Sequence, residues 1–213
     1  MHIFVFILLA ILLLPVLLLW LIFEGATTGL ELLGLSPQFA LGILFVMLLG
    51  SLFHIPLSRK KLVNVEERHF FGLFRRERVR LEGITLNVGG GLIPVSLALY
   101  LLFTKVPLGE TLLATLFMTA ISYHMARIIP GRGIALPVFI PPLFAALFAF
   151  LLAPEHASAV AFASGTLGVL VGADIFHIPD AMKKAGGVLS IGGAGVFDGI
   201  FLVGIVSALL AAL

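Results

Sequence analysis

Seven long apolar stretches dominate this sequence and limit the folds that it can adopt. They lie at roughly 2–23, 38–57, 84–104, 110–129, 135–153, 158–178 and 188–212. A helix needs about 20 apolar residues to cross the hydrocarbon core of a bilayer, and each stretch is close to that length. Hydrophobic residues make up 61% of the chain, whereas soluble domains contain about 45–50%. We therefore predict an all-α polytopic membrane protein, with about seven transmembrane helices in a single domain spanning residues 1–213.

The positions of the basic residues indicate how these helices are oriented. All of the 13 lysines and arginines except Lys105 fall in the predicted loops 58–82, 126–134 and 179–187. Because cytoplasmic loops carry an excess of Lys and Arg, we expect these loops in the cytoplasm. The protein is then a multi-pass plasma-membrane protein with a cytoplasmic N terminus and a C terminus outside.

The longest polar loop, 58–82, is basic and contains several phenylalanines. Polar and apolar residues alternate at 78–81, and Gly72 suits a turn, so we predict a short cytoplasmic β-hairpin on the membrane surface. Its basic residues are expected to bind anionic lipid headgroups. Nucleic-acid binding is the alternative, but topology and headgroup attraction already account for the charges. We therefore expect no nucleic-acid partner.

Three short motifs recur in the same order, which indicates an internal repeat. The pairs are FHIP at 53–56 and 176–179, LPV at 14–16 and 136–138, and the glycine-rich stretches 89–91 and 192–195. The first and fifth predicted helices run in the same direction, so the copies would be parallel. This predicts a 3+1+3 arrangement, with repeat 1 at 2–104, a linker helix at 110–129 and repeat 2 at 135–212. Chance similarity between apolar segments is the alternative.

Two aspartates, Asp174 and Asp198, lie inside segments that are otherwise almost free of charge. A charged side chain at the centre of a bilayer costs at least about 2.5–3.5 kcal/mol, so such residues usually have a function. Asp174 and His177 are three residues apart and share one face of the sixth helix. Asp198 is expected about ten residues into the seventh helix, near the midplane. The sequence therefore predicts an acidic intramembrane cavity at these residues.

Oxygen ligands without cysteine suit a hard divalent cation in that cavity. The candidate metal ligands are Asp174, Asp198, Asn87, His177 and Asp180, and the chain contains no cysteine. No His-Glu-x-x-His motif is present, so we expect Mg²⁺, Ca²⁺ or Mn²⁺ rather than Zn²⁺. Two alternatives stay open, in which the aspartates form structural hydrogen bonds or act as protonatable catalytic carboxylates.

A parallel repeat around a midplane site favours the transport of an ion or small solute. Metal-dependent chemistry on a membrane lipid or phosphate is the next alternative, with the metal polarising a phosphoryl oxygen. The sequence leaves open whether the protein is an enzyme and whether it forms a homo-oligomer. The lipid bilayer is its expected environment.

A stripe of small residues follows one side of the sixth predicted helix. It consists of Ala161, Gly165, Gly168 and Gly172, and such stripes let membrane helices approach closely. We interpret it as a packing surface. Asp174 is expected to point away from this stripe, towards the seventh or the third helix.

Three motifs resemble those of an uncharacterised archaeal and bacterial integral membrane family, known only as a domain of unknown function. They are NVGGGLIP at 87–94, GAD at 172–174 and IGGAGVFDGIF at 191–201. The resemblance covers roughly residues 50–210. It singles out Asn87, Asp174 and Asp198 and implies no activity.

The two aspartates also resemble those of the intramembrane aspartyl proteases, the presenilins and signal peptide peptidases. Those proteins place one Asp on a sixth helix and another in a Gly-x-Gly-Asp motif on a seventh. Here two residues are inserted before Asp198, no Tyr precedes Asp174, and the Pro-Ala-Leu signature is missing. The resemblance implies, as an alternative function, that Asp174 and Asp198 share a proton and activate water for peptide hydrolysis.

Overall fold

The computed structural model describes residues 2–58, 61–69, 74–129, 133–184, 187–193 and 198–213. These ranges are mostly helical. The α-helices are α1 His2–Glu31, α2 Pro37–Gly50, α3 Ile93–Thr104, α4 Leu108–Met125, α5 Ile140–Leu152, α6 Ala157–Val169, α7 Ile178–Lys184 and α8 Gly199–Leu210. The strands are β1 His54–Pro56, β2 Lys61–His69, β3 Phe74–Asn87, β4 Arg127–Ile129, β5 Gly133–Ala135 and β6 Val188–Ile191.

Each predicted apolar stretch contains an α-helix, but three of these helices begin later than predicted. α3 begins at Ile93 and α8 at Gly199, because the residues before them form the end of β3 and all of β6. α5 begins at Ile140 rather than at 135. Pro137 explains that delay, since the residue before a proline avoids the helical conformation, whereas Pro141 and Pro142 lie in the first turn of α5, where proline is well tolerated. The predicted helix 84–104 is thus strand only at 84–87 and helical from Val88, first as a π-helical turn and then as α3. The predicted helix 188–212 is strand at Val188–Ile191 and helix at Gly199–Leu210.

Among the described residues, the segment Pro154–Lys184 is long and apolar enough to cross a membrane. It joins α6 to α7 through a π-helical turn at Leu170–Asp174 and a 3₁₀ turn at Ile175–His177. Shorter apolar helical segments lie at Pro37–Gly50, Val88–Thr104, Ile140–Leu152 and Gly199–Leu210. The described chain thus contains one candidate span, and the seven-helix topology stays a prediction.

Helix α6 is the central element of the helical bundle. Its residues from Val160 to Val169 are all buried, and α3, α4, α5 and α8 pack around it. A Cβ added at Gly165 would lie 3.2 Å from the Ser207 hydroxyl, and one added at Gly168 would overlap Met118 of α4. The predicted role of the small-residue stripe in packing is confirmed.

The distribution of side chains over this bundle suits a lipid environment. Small and hydroxyl side chains fill the contacts between helices, and Thr111, Ser122, Ser164, Thr166 and Ser207 are fully buried. Large apolar side chains point outwards, among them Phe45, Phe103, Leu116, Phe139 and Phe150. Membrane helix contacts are enriched in small residues and hydroxyls, whereas a soluble monomer rarely exposes contiguous apolar surface of this extent.

Two small sheets lie at the ends of the helices. β2 pairs antiparallel with β3, from Lys61 opposite Glu82 to His69 opposite Phe74. The strand pairing of the predicted hairpin is confirmed, although β3 continues beyond residue 82 to Asn87. The predicted turn at Gly72 lies outside the described residues, and the cytoplasmic location of the hairpin stays a prediction. β1 also pairs antiparallel with β3, and β6 pairs with it in parallel. β4 and β5 form a second hairpin.

The two copies of the FHIP motif have different conformations. The first lies at strand β1, whereas the second lies in the helical segment that ends with α7. The glycine-rich stretches behave more alike, because each follows one of the parallel strands β3 and β6. A Cβ added at Gly91 would lie 3.3 Å from the carbonyl oxygen of Ile191, so the two stretches meet. The parallel 3+1+3 repeat stays a prediction.

Asn87 fixes the junction between β3 and the π-helical turn Val88–Leu92 that precedes α3. Its Nδ2 donates to the Ser51 carbonyl at 2.7 Å and to His54 Nε2 at 3.2 Å. Its Oδ1 accepts from the Gly90 amide at 2.7 Å. The side chain is fully buried, and its three hydrogen bonds join the end of α2, strand β1 and the π-helical turn that precedes α3.

We expect Asn87→Ala to lower the free energy of unfolding by about 1–3 kcal/mol, because the buried Gly90 amide would lose its acceptor. Thermal unfolding in detergent measures the change. The control is Ser96→Ala, which removes an exposed hydroxyl that bonds only to Leu92 of its own helical segment. It should change stability by less than about 0.5 kcal/mol. Equal effects of the two variants would contradict the structural role of Asn87.

Candidate functional site

Asp174 and Asp198 occupy two helix boundaries. Asp174 ends the π-helical turn Leu170–Asp174, and Asp198 is the N-cap of α8, with its Oδ2 accepting from the Ile200 amide at 3.2 Å. The expectation that Asp198 lies about ten residues into a helix is wrong. The reason is that residues 188–191 pair with β3 as strand β6, and Asp198 itself has the extended backbone of an N-cap, with a ψ of 155°, so α8 begins at the residue after it.

Both aspartates line the same two cavities. The first has a volume of about 130 Å³ and is bounded by residues of α6 and α8, including Val169 and Leu202. The second has a volume of about 290 Å³ and is bounded by β6 and by Gly133 of β5. Because Asp174 and Asp198 border both spaces, the carboxylate pair lies where the two cavities adjoin.

The two carboxylates lie close enough for their charges to repel each other. Both side chains are half-buried, and the Gly192 amide donates a hydrogen bond to the Asp174 carboxylate. Like charges repel more strongly in a site of low dielectric constant than in water. A pair of this kind is stabilised by a shared proton or by a bound cation.

A hydroxyl group that the sequence did not single out also borders the larger cavity. Ser190 lies on β6, lines this cavity, and has a buried Oγ without a hydrogen-bond partner in the described part of the protein. Buried polar atoms are normally hydrogen-bonded, so this hydroxyl is available to a bound molecule. A lone serine in an apolar strand carries no signal of such a role in the sequence.

The larger cavity occupies a gap between two strands. β6 pairs with β3 along one edge, and no ladder connects its other edge to β5 among the described strands. β5 nevertheless lies nearby, since a Cβ added at Gly133 would be 3.5 Å from Leu189 of β6. The carboxylate pair therefore borders a space beside an unpaired strand edge.

The other three predicted metal ligands lie elsewhere. Asn87 uses its amide in the junction described above, and it lines neither cavity. The Nδ1 of His177 is 3.0 Å from the Gly172 carbonyl oxygen, and its ring centroid is 4.9 Å from that of Tyr123. Asp180 is exposed at the start of α7.

The structure thus brings together two of the five predicted metal ligands. Among the described residues, no group of three or more His, Cys, Asp or Glu side chains is positioned to hold a metal ion. Any cation at the carboxylate pair would need its remaining ligands from backbone oxygens, hydroxyls or water.

The sequence of this chain was compared with those of known protein families and proteins. A family described as a protein of unknown function (DUF1614) matches residues 48–210, which is more than half of the sequence, so the chain belongs to this family. The match confirms that the chain belongs to a family known only as a domain of unknown function, over nearly the residues expected for it. It does not address the motifs or the resemblance to the aspartyl proteases, and it assigns no activity. No curated protein and no solved structure matches the chain.

Proposed function

We propose that this member of the DUF1614 family is an integral membrane protein that hydrolyses peptide bonds with the carboxylate pair Asp174 and Asp198. The observation that carries the proposal is the position of both aspartates on the cavity between β5 and β6. An extended peptide can add to an exposed strand edge through its main-chain hydrogen bonds. A substrate segment beside β6 would bring a backbone carbonyl next to the carboxylates.

The chemistry needs one ionised and one protonated carboxyl group, a division that charge repulsion within the pair favours. The ionised group accepts a proton from a water molecule, whose oxygen bonds to the carbonyl carbon of the substrate. The protonated group donates its proton to the carbonyl oxygen. When the tetrahedral intermediate collapses, the C–N bond breaks and the carboxyl group that took the proton of water passes it to the leaving amine. The other carboxylate takes a proton from a hydroxyl of the intermediate, which becomes the new carboxylic acid, and the pair is restored.

The membrane setting is part of the proposal. The apolar segment Pro154–Lys184 carries Asp174, and the outward-facing apolar side chains of the bundle would contact lipid. We place the loop 58–82 and the basic end of α7 in the cytoplasm, by the positive-inside rule. The carboxylate pair would then open towards the cytoplasmic side, and the basic hairpin would contact anionic headgroups.

Binding of a divalent cation is a second candidate function, and a different observation favours it. The two carboxylates share the larger cavity with the Ser190 hydroxyl, which has no hydrogen-bond partner among the described residues. Mg²⁺ is commonly held by one or two carboxylates while it keeps several waters, so two aspartates suffice for such a site. Ion transport or metal-dependent chemistry would follow from such binding.

One experiment separates the two functions. The purified protein is reconstituted in liposomes with a set of labelled transmembrane peptides, and products are identified by mass spectrometry with EDTA and with millimolar Mg²⁺, Ca²⁺ or Mn²⁺. Because the proposed hydrolysis uses only carboxyl groups and water, we expect cleavage whose rate EDTA changes less than twofold. Stoichiometric retained metal by elemental analysis, together with no cleavage of any peptide, would contradict the hydrolase and support the cation site.

A further inference from the structure

A further cavity, distinct from the two carboxylate cavities, lies between α1, α2 and α8. It has a volume of about 440 Å³, and every residue that lines it is apolar or glycine. We call it the α1–α8 groove. It continues into the exposed apolar surface of the bundle, since Leu21 and Ile22 of α1 and Leu48 of α2 line it and are 57%, 52% and 36% exposed.

We propose that the α1–α8 groove binds one acyl chain of a membrane lipid. The lining offers no side-chain donor or acceptor. An extended peptide would therefore leave its N–H and C=O groups unsatisfied there, at a cost of several kcal/mol for each group in a bilayer. An acyl chain has no polar groups to satisfy, and the open side of the groove faces the surface where lipid chains would lie.

The groove and the smaller carboxylate cavity share one wall. Leu202 lines both spaces and lies four residues, about one helical turn, after Asp198 on α8. A lipid chain in the groove would therefore contact the side chain that borders the carboxylate pair. Leu202 therefore separates the groove from the smaller carboxylate cavity.

Gly25 of α1 allows a direct test of the lipid site. It lines the groove, and a Cβ added there would meet no atom within 4 Å. Gly25→Phe should thus place a ring in the groove without displacing the backbone. Gly42→Phe is the matched control, because Gly42 is exposed on α2, its added Cβ also meets nothing within 4 Å, and it does not line the groove.

The probe is a phosphatidylcholine with a diazirine in one acyl chain. After irradiation in liposomes and digestion, mass spectrometry compares labelling of the groove residues on α8 with labelling of exposed Phe103 on α3. We expect Gly25→Phe to lower the groove-to-Phe103 ratio at least about fivefold, and Gly42→Phe to leave it unchanged. Melting temperatures within about 2 °C of the parent would show that both variants are folded.

Two outcomes would overturn the lipid site. One is a labelling ratio in Gly25→Phe equal to that of the parent protein. The other is lipid labelling absent from the groove residues of the parent protein while Phe103 is labelled. Labelling does not depend on hydrolysis, so a protein carrying both Asp174→Asn and Asp198→Asn should be labelled like the parent even if the proposed activity is wrong.

Discussion

Asp174→Asn and Asp198→Asn are each expected to lower peptide cleavage by at least about a hundredfold, the smallest effect usual for the loss of a general acid or base. An amide can neither accept the proton of the attacking water nor donate one as a carboxylic acid does. The two carboxyl groups act as one unit, so the effects of the two substitutions should not add. We expect the double variant to be at most a few fold slower than either single variant. Rates of peptide cleavage in liposomes measure all three effects.

The Asn substitutions separate chemistry from folding. Asp198 is the N-cap of α8, and Asn is about as good an N-cap as Asp, so the bond to the Ile200 amide should survive in Asp198→Asn. The matched control is Asp180→Asn, which changes the same functional group on an exposed residue outside both cavities. Full activity in either cavity variant, or equal loss in Asp180→Asn, would show that the pair does not perform the reaction.

The closeness of the two aspartates could be anticipated from the sequence because its signals are local. Each Asp interrupts an apolar segment, and the small-residue stripe fixed which side of the sixth segment packs, so that Asp174 was expected to face another neighbour. The position of Asp198 within its helix could not be anticipated. Residues 188–191 are apolar enough to belong to the helix that follows them. Their strand conformation depends on parallel pairing with β3, and the paired residues of β3 lie more than 100 positions earlier in the sequence.

The sequence does not predict the other residues that line the larger cavity, and the reason is again a contact between distant segments. Ser190 and Gly133 gain their position from the approach of β5 to β6, two short strands with no ladder between them among the described residues. The residue type of Asn87 and its place in the NVGGGLIP motif predict a metal-binding role, because an amide oxygen is a good ligand for hard cations. In the structure that oxygen accepts from the Gly90 amide at 2.7 Å, an interaction that spacing cannot distinguish from ligation.

Gly172→Ala is expected to lower the free energy of unfolding by about 1–3 kcal/mol, the usual cost of adding a methyl group to a packed interior. In a helix interior, replacing Gly by Ala normally stabilises by roughly 0.5–1 kcal/mol, so the expected sign is reversed. The cause is the close approach to α4, where the new Cβ would overlap the carbonyl oxygen of Thr119. That oxygen belongs to the backbone of a helix and cannot move aside as a flexible side chain can.

The control and a second readout make this test specific. Gly109→Ala in the first turn of α4 adds a Cβ that meets no atom within 4 Å, so thermal unfolding in detergent should show no loss of stability.

Gly172 also lies two residues before Asp174, and pushing the helix away from α4 would displace that carboxylate from Asp198. We therefore expect Gly172→Ala to lose cleavage activity even below its melting temperature. An unchanged melting temperature would contradict the close packing of α4 against the π-helical turn that positions Asp174.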